Sequence, residues 1–407
     1  MRPVSNLRER YSPLYFLAAL GAGGLAVSFF MYLMWMTPHD GSPIPTFASL
    51  AAAFPAASLP MQALIAVSVA AIAVFAALHV WLLVWNIREY NAFKRTPAYA
   101  TLRAGNGESQ LMAYPLALAM AVNVGFIVGA VFVPGLWSVR EILFPMALLA
   151  FGAIGVFAFR IYLDFLGRVL TEGGYDCAKS NSLGQMLSVF AFAMVGVGFS
   201  ATAAMSHVPA VLAIGFVGAT FFTVAAVVLG LVKLVLGFRS MMENRAAGET
   251  TPTLWIVVPL VTVIGIALYR MKMALAHNFG VEVAAGEVFA LLSTLFAIQI
   301  LFGLIGWAVM KRVGYFGRWV VGPEKSPGSF ALVCPGVGLF VMGNFLINPG
   351  LVGIGLVEPL SLGYAMLYLP LVAVQLATVW LFVKLTGKLI LAAPTPARGA
   401  DALTAAE

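Results

Sequence analysis

The residues best suited to chemistry in this sequence lie inside long apolar segments. Cys334 stands in the run FALVCPGVGLF (330–340), directly before Pro335 and Gly336, two residue types that interrupt helices. A cysteine beside a helix break can be a reactive thiol or a soft-metal ligand, because nucleophilicity follows thiolate character. Apolar surroundings disfavour the thiolate, and the alternative is a small packing residue. The sequence leaves both interpretations open.

Four charged residues lie within or beside other apolar segments. Arg270 and Lys272 fall near the outer end of one segment, where cations would attract anions into a vestibule, although both could instead reach the membrane interface. Arg160 and Asp164 are four residues apart and share one helix face. This spacing predicts an ion pair within the membrane, more in a packing role than as a proton relay.

Little in the sequence points to an enzyme. No nucleotide-binding or nucleophile motif is apparent. Only His79 of the four histidines lies well inside an apolar segment, so a haem with two histidine ligands is not expected. Cys177 lies in a predicted loop and Cys334 in an apolar segment, and they form no CxxC pair. We expect no cofactor and no bound metal, and a transport protein rather than an enzyme.

The elements that must position these residues are membrane helices. The chain has 407 residues, of which 62% are hydrophobic and 10% charged, against roughly 45–50% apolar residues in soluble domains. A helix crosses a bilayer with about 20 apolar residues. Ten segments meet this length, at 14–37, 61–86, 111–134, 139–169, 182–206, 208–238, 253–275, 281–310, 328–348 and 357–391.

This pattern predicts an all-α polytopic membrane protein with ten transmembrane helices arranged as five helical hairpins. Residues 1–392 form a single transmembrane domain in this interpretation, and residues 393–407 form a disordered cytoplasmic tail. The last four hairpins begin about every 70 to 75 residues, near residues 111, 182, 253 and 328, which suggests a structural repeat.

The positions of the basic residues predict the orientation. With the amino terminus inside, all 23 lysines and arginines except Arg140, Arg270 and Lys272 fall at or near the cytoplasmic side. Both termini are therefore expected to be cytoplasmic, in a plasma membrane such as the bacterial inner membrane. The basic residues are dispersed over many loops instead of forming one patch, so the expected surroundings are a lipid bilayer and nucleic acid is not an expected partner.

The two helices of a hairpin differ in sequence. Four of the five first helices are interrupted by glycine, proline or asparagine, among them Gly21, Gly24, Asn123, Pro259 and Asn344, whereas second helices are more uniformly apolar. Broken helices are tolerated at membrane depth only when they are buried in protein or line a water-filled path. The odd-numbered helices are therefore predicted to form an inner ring around a central path. Close helix packing through small residues is the alternative.

These features resemble the TehA and plant slow-anion-channel family, also called the tellurite-resistance/dicarboxylate transporter family. The resemblance is carried by SPLYFLAALGAGGLAVSFF in the first helix and by CPGVGLF in the ninth, where the family usually has Phe-Pro. It implies ten helices, an inner ring of kinked odd-numbered helices and side-by-side homo-oligomers. The sequence also resembles the TsoY-like (seleno)protein branch, in which Cys334 would hold the selenocysteine position.

In channels of that family a phenylalanine of the ninth helix plugs the path, and Cys334 would replace it here. The function that the resemblance implies is passage of a small inorganic or organic anion, or a weak acid. Arg270 and Lys272 are the expected anion attractors. The expected path and constriction residues are Phe330, Cys334, Pro335, Phe340, Gly21, Gly24, Asn123, Pro259 and Asn344. The alternative is a redox or chalcogen-handling membrane protein that uses Cys334, with a quinone or partner enzyme.

Overall fold

The computed structural model describes residues 3–391, and within this part of the chain ten helices are long and apolar enough to cross a membrane. Numbered in chain order as spans one to ten, they are Pro13–Met36, Leu59–Phe93, Asn106–Phe132, Leu136–Glu172, Gly184–Met205, Pro209–Asn244, Gly248–Phe279, Ala285–Arg312, Pro327–Val352 and Leu362–Leu389. All ten predicted spans are present, which confirms the all-α polytopic membrane fold. The expected tail at 393–407 lies outside the described residues.

Both ends of the described chain lie on one side of the helix bundle. The backbone amide of Val4 donates a hydrogen bond to the carbonyl of Ile390 over 2.8 Å. We call this side the terminal face, and the other side, which carries the connection between spans one and two, the opposite face. Each face also carries one short helix that the sequence analysis did not predict. These two helices are Phe47–Ala56 on the opposite face and Pro97–Ala104 on the terminal face.

The second span shows the largest departure from the predicted boundaries. It ends at Phe93 instead of residue 86. Its last two turns extend beyond the most apolar part of the helix, and Glu89 is held there by the chain's beginning. The Glu89 carboxylate accepts hydrogen bonds from the backbone amides of Asn6 and Leu7, at 3.1 and 2.8 Å. The helix can therefore continue past its apolar stretch because the backbone amides of Asn6 and Leu7 bind the Glu89 carboxylate there.

Burial separates the odd-numbered spans from the even-numbered ones. Between 50% and 100% of the most apolar window is buried in each odd-numbered span, against 17% to 39% in the even-numbered spans. Each odd-numbered span packs against the next odd-numbered one, and the ninth packs against the first, so these five helices close a ring. The predicted inner ring is confirmed, and the even-numbered spans present large apolar side chains outward, as lipid-facing helices do.

Every odd-numbered span begins as a 3₁₀ helix and continues as an α-helix. The α-helical parts begin at Phe16, Ala113, Leu187, Val257 and Val333. Pro115, Pro259 and Pro335 each stand third in their α-helix, within the first turn, where a missing backbone N–H leaves no hydrogen bond unmade. The break expected at Pro335 is instead a change of helix type just before Cys334.

Spans seven and nine are in close contact at Gly338. A β-carbon added to Gly338 would lie 2.8 Å from the Thr262 hydroxyl oxygen and 2.9 Å from the Pro259 α-carbon. Backbone atoms of a packed helix cannot move aside as a flexible side chain can. The close contact of these two helices therefore requires glycine at position 338.

Replacing Gly338 with alanine is expected to destabilise the protein by about 1–3 kcal/mol, because the added methyl group overpacks the contact between the two helices. Thermal unfolding of the purified protein in detergent measures this change. Gly125→Ala is the matched control, since no atom lies within 4 Å of an added β-carbon there. Equal losses in the two variants would contradict the steric argument.

Candidate functional site

The inner ring encloses a cavity of about 170 Å³ on its axis. All five odd-numbered spans contribute to its wall, together with Phe151 from the fourth span and Ile44 from the connection on the opposite face. Ile44 lies at the end of the cavity nearest that face. The segment around it is fixed by His39, whose two ring nitrogens lie 2.9 Å from the carbonyl oxygens of Ser42 and Met34.

Arg270 brings a positive charge into this cavity. Its Nη1 donates a hydrogen bond to the backbone carbonyl of Val197 on the fifth span over 3.2 Å, and the side chain lines the cavity wall. Among residues 3–391, the carboxylates that form ion pairs lie beside other cations, and none is within 4 Å of Arg270. A cation in an apolar cavity without a carboxylate partner favours an anion as its neighbour.

A second hydrogen-bond donor faces the cavity close to Arg270. The Asn123 amide nitrogen lies 3.5 Å from the sulfur of Met194, and Met194 precedes Val197 by three residues on the same helix. Three residues of α-helix rise by about 4.5 Å. The partners of the two donors are therefore about one helical turn apart on span five, and both donors belong to side chains that line the same cavity.

A smaller cavity of about 60 Å³ lies between the first one and the terminal face. The two cavities share three lining residues, which are Phe190 of span five, Pro259 of span seven and Cys334 of span nine. Phe190 and Cys334 are almost fully buried, with 4% and 9% of their surface exposed. These three residues lie where the two cavities adjoin, and we call them the constriction.

The residues named from the sequence divide into two groups. Gly21, Gly24, Asn123, Pro259, Cys334 and Arg270 all line the larger cavity. Phe330 and Phe340 are fully buried but line neither cavity. Phe340 packs edge-on against Tyr32 at a ring separation of 5.4 Å, so it belongs to a contact between helices and not to the constriction.

Asn344 and Pro335 also lie outside both cavities. The Asn344 amide donates to the Phe340 carbonyl over 2.8 Å, and its oxygen accepts from the Tyr368 hydroxyl over 2.7 Å. The bond from Tyr368 joins spans nine and ten. Asn344 therefore satisfies its polar groups within the protein and presents none to the path.

Lys272 does not share the environment of Arg270. Its amino group forms an ion pair with Glu287 over 2.9 Å, and 37% of its side chain is exposed. It lies outside the lining of the cavity. Of the two residues expected to attract anions, only Arg270 lines the cavity, because Lys272 is paired with Glu287 at the surface.

The ion pair expected between Arg160 and Asp164 is not formed in the described chain. The Asp164 carboxylate lies 3.9 Å from Arg103 instead, and about half of its side chain is exposed. The buried ionic centre is Glu108, whose carboxylate lies 2.9 Å from both Arg103 and Arg168. It ties the entry of span three to the end of span four.

Sequence reasoning missed Phe190, the one aromatic residue of the constriction in the part of the chain described. The fifth span contains Gly196 and Gly198, the same kind of interruption that marked the other odd-numbered helices. The predicted inner ring already included this span, but a β-carbon added at Gly196 or Gly198 would meet span six or span four, so neither glycine marks Phe190. Neither a protein-family model nor a curated protein matches the sequence, so the resemblance to the TehA and slow-anion-channel family is carried forward as a proposal.

Proposed function

We propose that this protein moves a small anion across a membrane along the axis of the inner ring. Ten apolar helices fit a channel or transporter in general. The observation that supports an anion in particular is Arg270, a cation that lines the axial cavity and has no carboxylate within 4 Å in the described chain. The basic residues support a plasma membrane with cytoplasmic termini, and the family resemblance supports a homo-oligomer.

Because the constriction is closed, transport along the axis requires it to open. Phe190, Pro259 and Cys334 separate the two cavities, so an anion bound near Arg270 reaches the terminal face only when this contact opens. In channels of the resembled family the plug is a phenylalanine of the ninth helix; here Phe190 of the fifth helix lines both cavities and takes that role in our proposal. Rotation of a single aromatic side chain would then open the path.

The proposal is tested by anion flux into proteoliposomes with changes at Cys334. Cys334→Phe is expected to abolish most chloride or nitrate flux, because a phenyl ring beside Phe190 and Pro259 would keep the constriction blocked when it would otherwise open. Cys334→Ser is expected to retain flux within about twofold, since serine is close to cysteine in size. Cys177→Ser is the control, because Cys177 is exposed in a loop.

The same variants separate transport from redox chemistry at Cys334. A thiol-dependent activity would be lost in Cys334→Ser, whereas a path would tolerate this change. The other cysteine of the chain is exposed and lies in a connection at the terminal face, so an internal dithiol reaction is not supported. Absence of flux for every anion, with thiol reactivity at Cys334, would replace the transport proposal with the redox one.

A further inference from the structure

We propose that the axial cavity selects organic monoanions with a short apolar tail, such as short-chain carboxylates or sulfonates, over dianions and over small inorganic anions. This inference rests on the proposed function, since it assigns the chemical class of the anion at the same site. It follows from the number of charges in the cavity and from the order of residues along its wall.

The cavity offers full charge compensation for one negative charge. Of its 26 lining residues, all within the described chain, only Asn123, Thr262 and Arg270 carry nitrogen or oxygen in the side chain. The Thr262 hydroxyl already lies 3.0 Å from the carbonyls of Val258 and Gly338 and accepts a bond from Gln299 over 2.6 Å. Arg270 and Asn123 are left to hold a ligand.

A second negative charge on the ligand would meet an apolar wall. Charges buried without a partner are strongly disfavoured, and the remaining lining residues are aliphatic, aromatic or sulfur-containing. A dianion would therefore lose the hydration of one charged group and gain no partner for it. This excludes dicarboxylates as good ligands of the closed cavity.

The wall next to Arg270 is arranged to receive an apolar tail. Ile266, Val263 and Pro259 precede Arg270 by four, seven and eleven residues, which places all four on one face of span seven, and each of them lines the cavity. Helical side chains lean toward the amino end of their helix, so the guanidinium points along this apolar strip toward the constriction. A ligand whose anionic group binds Arg270 therefore places its apolar tail against Ile266 and Val263.

The size of the cavity supports a ligand of several heavy atoms. One water molecule needs roughly 10–15 Å³ of such space, so a volume of about 170 Å³ exceeds what a halide or nitrate fills. Water in the apolar part would have few hydrogen-bond partners there. Displacing such water with an apolar group increases affinity, which an inorganic anion cannot do.

The test is a series of straight-chain sulfonates from methane- to butanesulfonate, which stay ionised and so do not cross lipid as neutral acids. Their dissociation constants for the purified wild-type protein are measured by calorimetry in detergent. Affinity is expected to rise about fourfold with each methylene until the tail reaches the constriction. Ethanedisulfonate is expected to bind at least about tenfold more weakly than ethanesulfonate.

Variants of the apolar strip locate the tail. Val263→Phe is expected to weaken butanesulfonate about tenfold and to leave methanesulfonate within about twofold, because the ring fills only the tail's space. Val263→Ala, which carries less risk of misfolding, is expected to weaken butanesulfonate about threefold. Val217→Phe is the matched control, since Val217 is 68% exposed on the lipid-facing sixth span and should leave the series unchanged.

The outcomes separate this inference from the proposal on which it rests. If affinity is flat across the series, or if the disulfonate binds better, while nitrate flux persists, the tail-binding inference is overturned and anion transport stands. If no anion binds and no anion is transported, the proposed function fails and this inference fails with it. A gain in affinity per methylene group that is present in the wild type and absent in Val263→Phe supports binding of the tail beside Val263.

Discussion

Replacing Arg270 with glutamine is expected to lower anion flux at limiting anion concentration at least about tenfold. The guanidinium lines the axial cavity and, in the described chain, donates one hydrogen bond, to the Val197 carbonyl, which leaves further N–H groups able to bind a ligand. A hydrogen bond to a charged group is worth about 1.5–3 kcal/mol, which is roughly 10- to 150-fold in affinity. Proteoliposome flux over a range of nitrate concentrations measures the change.

The stability of this variant distinguishes lost binding from lost folding. A buried cation without a carboxylate partner is unfavourable in the folded protein, so Arg270→Gln is expected to melt at the same temperature as the wild type or higher. Addition of an anion should raise the melting temperature of the wild type and not of the variant, because a ligand stabilises only the state that binds it. A lower melting temperature with flux lost would leave misfolding as the cause and count against the prediction.

Two further variants test whether position or charge is decisive. Arg270→Lys keeps the charge but loses the planar pair of donors, so it should retain intermediate flux. Lys272→Gln removes a cation that is already paired with Glu287 outside the cavity, and flux should stay within about twofold of the wild type. Equal losses of flux in Arg270→Gln and Lys272→Gln would indicate that anions are attracted by the overall surface potential of the protein and not by a specific site at Arg270.

The ring of odd-numbered helices could be predicted from the sequence because its signals are local. Long apolar runs give the spans, and glycine and proline within some of them indicate which helices avoid lipid. Arg270 was named for a similar reason, since a cation near the end of an apolar segment can attract anions. Each of these signals can be read from one stretch of chain without knowing its neighbours.

The faces of the helices were harder to predict, and the constriction shows why. Phe340 follows Cys334 by six residues, which at about 100° per residue turns it to another side of the helix, whereas Val337, Gly338 and Val341 share the cavity with Cys334. Phe330 precedes Cys334 by four residues, but the intervening 3₁₀ helix has about three residues per turn and changes its direction. Closeness to Cys334 in the sequence therefore does not predict which residues lie at the constriction.

Charge partners were hard to predict because they depend on contacts distant in sequence. The spacing of Arg160 and Asp164 suits a helical ion pair, but both side chains are exposed, and the short helix Pro97–Ala104 brings Arg103 toward Asp164. The same helix supplies one of the two partners of the buried Glu108. The sequence around Glu108 is polar, and nothing in it indicates that the Glu108 carboxylate is more deeply buried than that of Asp164.

Replacing Glu108 with alanine is expected to destabilise the protein by about 2 kcal/mol. Only 1% of the Glu108 side chain is exposed, and its carboxylate lies 2.9 Å from Arg103 and from Arg168. Removing one member of a buried ion pair typically costs about 3–5 kcal/mol. The two arginines are 44% and 26% exposed, so water solvates part of the charge left behind and lowers the loss.

Thermal unfolding in detergent and amide hydrogen exchange together test this expectation. The melting temperature should fall, and protection should be lost first in residues 94–112, because Glu108 ties that connection to Arg168 at the end of span four. Glu108→Gln should lose nearly as much stability as Glu108→Ala, since an amide keeps the shape but leaves both arginines without a counter-charge. Asp164→Asn is the control and should change stability by less than about 0.5 kcal/mol, because that pair is longer and exposed. A stable Glu108→Gln protein would mean that packing, and not charge, fastens the entry of the third span to the fourth.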